Sequence, residues 1–333
     1  MSRRFAIVLG GVVVVAVVVG AGLVLANRKP DTSPRALTGD LATHDPALVA
    51  GGPGEPWYVF STGSTEGDGN IQIRRSVDGL DWESLGEVWT KKPEWLVEAV
   101  PGVSNLWAPE VIKHDGTWYL YYAASTFGSN QSVIALATNT TLDPADPHYI
   151  WVDRGAVVTS TTADDFNAID PGIVEDAHGP WMAFGSFWSG IRMVQLEWPS
   201  GLRADSTSEP LRIADRGAPP NAIEAPYIVE RDGWFYLFVS LDSCCRGLDS
   251  TYKIAVGRSQ QVTGPYLDRT GVPLLEGGGT VLLATNGAEI GPGGQSVSNG
   301  YLAYHFYDGN AGGAFRLAIR KLDWDAAGWP VAR

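Results

Sequence analysis

The sequence predicts an all-β protein, a five-bladed β-propeller, preceded by an N-terminal hydrophobic signal or anchor helix. Three observations carry this reading. A unit with a Pro-containing start, a short apolar strand, a Gly/Asp turn and an aromatic-rich strand recurs five times. Its prolines stand at 46, 109, 171, 226 and 292, at spacings of 63, 62, 55 and 66 residues. Beyond the N-terminal apolar run, no stretch shows a helical period, and only Pro93 to Val100 leaves room for a short helical turn. The 40 Gly and 13 Trp, with charged residues at only 18%, suit tight turns between buried strands. Four short strands repeated five times close radially and leave few exposed edges, whereas a large sandwich would need the spacing to be coincidental.

The units read alike in order. His44-Asp45-Pro46 leads into ALV and PWYVFSTGS, and Trp107-Ala108-Pro109-Glu110 leads into VI and DGTWYLYYAAS. Ile169-Asp170-Pro171 opens GIV and GPWMAFGSF; Glu224-Ala225-Pro226 opens YIV and RDGWFYLFVSL; Ile290-Gly291-Pro292 opens GGQSV and NGYLAYHFYD. A third strand and a shorter fourth follow each pair. They are read at 71–77 and 82–89, 132–138 and 149–155, 190–198 and 210–215, 252–259 and 265–271, and 315–324 with the closing 329–333.

Ahead of the repeats, Arg3 and Arg4 precede an uncharged run of 22 residues from Phe5 to Ala26. That is enough for a helix to span a hydrocarbon core of ~30 Å. It exceeds the roughly 7–15 apolar residues usual in a signal peptide, although Val24-x-Ala26 fits a cleavage site. Residues 1–29 are therefore read as a signal peptide or a membrane signal anchor, 30–40 as a flexible linker, and 41–333 as the propeller catalytic domain. The basic start stays inside, so the propeller is expected outside the cell or at its surface, touching the membrane only through this segment. Four of the 24 Lys+Arg lie in residues 1–29 and none of the 37 Asp+Glu, so the exported part carries a formal −17. Such an acidic chain is not expected to bind nucleic acid. Two Cys exclude a disulfide scaffold or a zinc finger; Cys244 and Cys245 are adjacent, as free thiols or as a vicinal disulfide.

Aligning the units on their prolines brings out the chemistry. The first strand of a propeller blade lines the central channel. Immediately before the proline stand Asp45, Ala108, Asp170, Ala225 and Gly291, and one place earlier His44, Trp107, Ile169, Glu224 and Ile290. Asp45, Asp170 and Glu224, from three blades, should converge near one end of the axis. Crowded carboxylates raise at least one pKa and keep a proton available near neutral pH. Glycosidic bond hydrolysis needs that pairing: one acid protonates the leaving oxygen while a carboxylate activates water. Asp143-Pro144 and Asp146-Pro147 lie between elements and read as turns. Glu110 follows its proline, so strand alternation should turn it away into a structural hydrogen bond. Trp107, Phe127 and Trp188, beside inner strands, are candidates to stack on sugar rings. No G-x-S-x-G or phosphate-binding motif is present.

The strings HDP, WAPEV, NAIDP, FGSFWSGI, AIEAPY, CCRGLDSTYKIAVGRS, VTGPY, GPGGQSV and AYHFYD, in this order over about residues 40–325, resemble the arabinanases of glycoside hydrolase family 43. The resemblance implies a five-bladed propeller and an inverting enzyme that cleaves internal α-1,5-linked arabinofuranose bonds of arabinan. It implies Asp45 as general base, Glu224 as general acid and Asp170 as the residue that tunes and orients the acid. Asn167 of NAIDP and Ser186 of FGSFWSGI are further expected substrate contacts. It also implies that His305 stands in the channel beside a metal ion, commonly calcium and otherwise held by water. A lone strand histidine would by itself read as a core residue, and no Asp-rich calcium loop is evident.

The expected partner is thus a polysaccharide, arabinan or an arabinoxylan-type chain, and the expected enzyme is a monomer without an organic cofactor. The alternatives are an exo-acting α-L-arabinofuranosidase or β-xylosidase, and a non-catalytic sugar-binding propeller. The last has no use for three converging carboxylates.

Overall fold

The computed structural model describes residues 36–333; the segment 1–29, read as a signal peptide or anchor, lies outside the described residues. Strand β1 (Thr38–Gly39), at the end of the 30–40 segment, pairs in parallel with Asp81–Trp82 on the rim of blade one. Blade one is β2 (Ala47–Val49), β3 (Trp57–Ser61), β4 (Gln72–Ser76) and β5 (Asp81–Glu87). A short helix α1 (Glu94–Ala99) follows, within the stretch the sequence allows. Blade two is β6 (Leu106–His114), β7 (Thr117–Ala124), β8 (Ser132–Asn139) and β9 (Val152–Ser160). Blade three is β10 (Gly172–Asp176), β11 (Gly179–Phe184) and β12 (Ile191–Glu197), with β13 (Leu202–Arg203) and β14 (Leu211–Ala214) both on β12. Blade four is β15 (Ile223–Arg231), β16 (Trp234–Leu241), β17 (Lys253–Ser259) and β18 (Thr280–Leu283). Blade five is β19 (Glu289–Ser298), β20 (Tyr301–Asp308), β21 (Ala314–Trp324) and β22 (Pro330–Ala332).

Two strands differ from their sequence-based placement: β9 of blade two begins three residues later than the expected 149–155 and runs on to Ser160. The outer strand of blade four is β18, not residues 265–271. In that stretch Leu267 makes only isolated bridges, to Arg258 and Pro273. The Asp268 carboxylate explains why: it accepts from the backbone N–H of Thr270, Val272 and Gly279, curling the chain into a turn.

The inner strands β2, β6, β10, β15 and β19 each touch the next, and β19 returns to β2, closing the ring. Each blade presents both faces to neighbours, so the strands are nearly continuously apolar instead of alternating. In β7, Tyr119 and Tyr121 pack towards Met182 and Phe184 of blade three. Leu120 and Tyr122 pack the other way, with Phe60 and Ile73 of blade one. Comparable seams join blades three and four, four and five, and five and one, so five apolar seams serve five interfaces.

The closing seam is non-covalent. Ser296 of β19 accepts from Leu48 N at 3.0 Å and donates to Pro46 O at 2.6 Å, and Asn299 Nδ2 donates to Ala50 O at 2.5 Å. Ser296 is buried, so Ser296→Ala leaves two backbone groups of blade one unpaired. The expected cost is about 1–3 kcal/mol, read as a lower midpoint in denaturant unfolding with an unchanged slope.

Candidate active site

At the start of each inner strand the sequence repeat is also a backbone repeat. The residue before each proline has a positive φ: 51° at Asp45, 35° at Ala108, 58° at Asp170, 50° at Ala225 and 57° at Gly291. In blades two, four and five the pairing skips there. Trp107 faces Ala123 and Glu110 faces Tyr121; Glu224 faces Ser240 and Tyr227 faces Phe238; Ile290 faces Tyr307 and Gly293 faces His305. Two inner residues oppose one, which is a β-bulge whose first residue is left-handed. Blades one and three close the same loop through Thr62 N to His44 O and Gly185 N to Ile169 O. Proline fits the second bulge position because an unpaired residue needs no N–H. The bulge bends the strand and re-aims the pre-proline side chain: Asp45, Ala108, Asp170 and Ala225 all line one axial cavity of about 30 Å³. Non-glycine residues in such conformations cost of order 1–3 kcal/mol each and cluster at functional sites.

The three sequence-predicted acids meet at this end of the axis, in unlike surroundings. Asp45 is enclosed, and burial alone would raise its pKa. The adjacent His44 ring, its Nδ1 hydrogen bond at 2.7 Å, His305 and the Thr62 hydroxyl at 2.7 Å outweigh burial and hold the carboxyl below the usual carboxylate range. Thr62 Oγ1 also accepts from Ala108 N, tying the bulges of blades one and two together. Glu224 is pushed up chiefly by burial and by the Asp45 charge, against the hydroxyls of Ser186 and Tyr252, each donating at 2.5 Å. Asp170 is pushed well above its ordinary value by burial, then by Glu224 and Asp45, and accepts from Ala225 N at 3.2 Å. One carboxyl is thus pushed below its ordinary value while its two neighbours are pushed above theirs. That division is what acid–base catalysis near neutral pH requires.

The remaining expected residues fall into two groups. Trp107 is half-buried one place before the blade-two bulge, and Phe127 and Trp188 are exposed by 84% and 39% at loop tips. Ser186 and Asn167 are both buried and already engaged. Ser186 holds Glu224, and Asn167 Oδ1 accepts from Ser132 Oγ at 2.7 Å. Ser186 is thus tied to Glu224, and Asn167 to blade two. Glu110, expected from strand alternation to turn away, instead lines the same axial cavity beside Tyr227, and burial pushes its pKa up to about 8.

His305 is fully buried, and its ring stacks on His44 with centroids 3.6 Å apart. Its Nδ1 lies 3.1 Å from Asp45 N and 3.4 Å from Asp45 Oδ1, while Nε2 is buried without a partner. His44, Asp45 and His305 bring possible ligand atoms within 4.8 Å of one another. Both His44 nitrogens are engaged, with Asp45 and Tyr307, so Nε2 of His305 is the nitrogen left over.

Several site residues went unmarked in the sequence. His44 occupies the same register as Glu224, and Tyr252 and Tyr307 lie inside the strings CCRGLDSTYKI and AYHFYD, so a signal existed. Gly294 gave none. Its φ is +59°, and a Cβ there would stand 2.4 Å from Asp45 Oδ1 and 2.8 Å from His305 Nδ1. Gly294→Ala is expected to displace Asp45 and lower kcat about 100-fold with the circular dichroism spectrum retained.

Comparison with known proteins agrees with this geometry. The chain is 40% identical over 317 residues to the extracellular endo-α-(1→5)-L-arabinanase 1 of Bacillus subtilis, covering 93% of this chain and 94% of that protein. It is 39% identical over 305 residues to the extracellular exo-α-(1→5)-L-arabinofuranosidase of Cellvibrio japonicus, covering 86% and 85%. The structure of a Cellvibrio cellulosa α-L-arabinanase complexed with arabinohexaose superposes with a TM-score of 0.80 at 38% identity, covering 87% of this chain and 95% of that one. Residues 39–330, nearly the whole described chain, match the glycosyl hydrolases family 43, and the protein belongs to that family.

Proposed function

We propose that this protein is an extracellular, inverting endo-α-1,5-L-arabinanase in which Asp45 is the general base, Glu224 the general acid, and Asp170 the group that keeps the acid protonated. The observation that carries the reading is the opposite environment of Asp45 and Glu224. Asp45, ionised, takes a proton from the water that attacks the anomeric carbon. Glu224 delivers its proton to the leaving glycosidic oxygen. The positive charge growing on the sugar ring is met by the carboxylates around it. All three acids come from one chain, which supports action as a monomer. Trp107, Phe127 and Trp188 are the flat surfaces available to sugar rings beside them. Export through residues 1–29 accords with the extracellular relatives; fractionation and N-terminal sequencing distinguish a cleaved signal peptide from an anchor.

Internal cleavage is supported by the endo-named relatives, and an exo-named relative shares nearly the same identity. The test is incubation of the full chain, in non-ionic detergent, with linear arabinan, following product length over time. Mixed oligosaccharides appearing early are expected. Monosaccharide alone would replace the endo reading with the exo one, and no product would leave a binding propeller.

A calcium ion, where bound, would be held by His305 through Nε2, with water as its other ligands. The residues fit in only one tautomer, and it gives up the hydrogen bond that Asp45 N–H donates to Nδ1 at 3.1 Å: with a proton on Nδ1 facing the Asp45 carboxylate at 3.4 Å, the buried Nε2 lone pair is free. The ion would supply positive charge beside Asp45. Chelation is expected to lower both activity and melting temperature, each returning with added calcium; no change in either would remove the ion from this account.

A further inference from the structure

Cys244 and Cys245 form a vicinal disulfide on the loop between β16 and β17, at the mouth of the site. We propose that this disulfide is a positioning element of the catalytic centre, acting on Asp45 through Tyr307 and His44; the inference rests on Asp45 being the general base. The path is a chain of three hydrogen bonds. Cys245 N–H donates to the Tyr307 hydroxyl at 2.7 Å, Tyr307 to His44 Nε2 at 2.9 Å, and His44 Nδ1 to Asp45 Oδ2 at 2.7 Å. The direction of each bond follows from chemistry. A carboxylate only accepts, so His44 carries a proton on Nδ1, and the neutral ring presents a lone pair on Nε2. Tyr307 spends its single proton there and accepts from Cys245 N–H. Every hydrogen therefore points towards Asp45, and bonds aligned this way polarise one another.

The disulfide fixes where that chain begins. Cys245 has φ 64°, a left-handed conformation that a non-glycine residue seldom adopts unconstrained. Bonding adjacent residues closes a small ring that removes the backbone freedom to leave it. Cys245 Sγ lies 4.0 Å from His44 Nε2, so the bridge also caps the ring it positions. The far end of the loop is tied down separately. Arg246 N donates to Ser250 Oγ, Tyr252 N donates to Ser243 O, and the Tyr252 hydroxyl donates to Glu224. One loop thus reaches the base through its disulfide and the acid through Tyr252. Opening the ring should release Cys245 N–H from Tyr307 while leaving the Tyr252 end in place.

The opening step is a two-electron reduction by a dithiol. A dithiol thiolate attacks one sulfur, the Cys244–Cys245 bond breaks, and the two cysteines take up protons as thiols. The dithiol closes into its own cyclic disulfide. In the experiment the full chain is assayed in non-ionic detergent on linear arabinan in three states: as purified, reduced with dithiothreitol, and re-oxidised, with thiol titration marking each. Reduction is expected to lower kcat about tenfold, to leave KM within about twofold, and to reverse on re-oxidation. In Tyr307→Phe, already slow because the chain is cut, reduction is expected to add less than about twofold. The Cys244→Ala/Cys245→Ala variant should match the reduced enzyme and ignore dithiothreitol; if it fails to fold, the wild-type redox series still decides. An unchanged kcat on full reduction would overturn the proposal. So would an undiminished effect in Tyr307→Phe, which would place the disulfide's influence elsewhere. Wild-type protein that cleaves no arabinan would overturn the functional reading, and this inference with it.

Discussion

Glu224→Gln is expected to lower kcat on arabinan about 10³-fold, with KM and the unfolding transition nearly unchanged. The substitution keeps the shape of the side chain: one of the Ser186 and Tyr252 hydroxyls still donates to the amide oxygen and the other turns to accept from the amide NH2, so the fold loses little. What goes is the transferable proton. An arabino-oligosaccharide with a nitrophenol leaving group needs little protonation, and on it the variant should recover most of its rate. The pH profile separates this role from a structural one. Burial pushes Glu224 above its ordinary value, and Asp170 more so, so the acid stays protonated above the usual carboxyl range. Wild-type activity should fall as pH rises through that raised value, because deprotonation removes the acid. The residual activity of Glu224→Gln should show no such fall. Near-wild-type hydrolysis of arabinan by the variant would end the assignment.

Asp45→Asn is expected to lower kcat by at least about 10³-fold, and the nitrophenol substrate should not rescue it. Deprotonation of the attacking water is required whatever leaves. An amide oxygen still accepts from Thr62 and His44, but the side chain no longer takes up a proton from water. The two variants therefore differ most on the activated substrate. Rescue of Asp45→Asn there would exchange the two roles.

Much of this molecule was legible in the sequence, and the reason is its repetition. A single Asp-Pro is a turn; five X-Pro pairs, each ahead of an apolar strand, are a register. Recurrence of that register placed the inner strands and marked Asp45, Asp170 and Glu224. Blade four escaped partly, because Asp268 draws residues 265–271 into a turn through contacts that strand patterning does not encode. Ser186 and Asn167 show another limit: sequence placed them near the site, but only packing shows that they are buried and bonded to Glu224 and Ser132.

By itself the sequence determined the all-β class, the number of blades and which acids would gather, since strand period and repeat spacing are properties of the chain. The tertiary structure decided what each acid is for. A carboxyl pKa depends on burial and on the charges and donors around it, and these come from parts of the chain that only folding brings together, some of them on other blades. Asp45 is held low by His44, Thr62 from β3's far end and His305 of blade five. Glu224 is raised within a pocket closed by blade three's Ser186 and its own blade's Tyr252. The left-handed bulge that aims two of these acids inward, and Gly294 that leaves room for one, exist only where five strands meet at an axis.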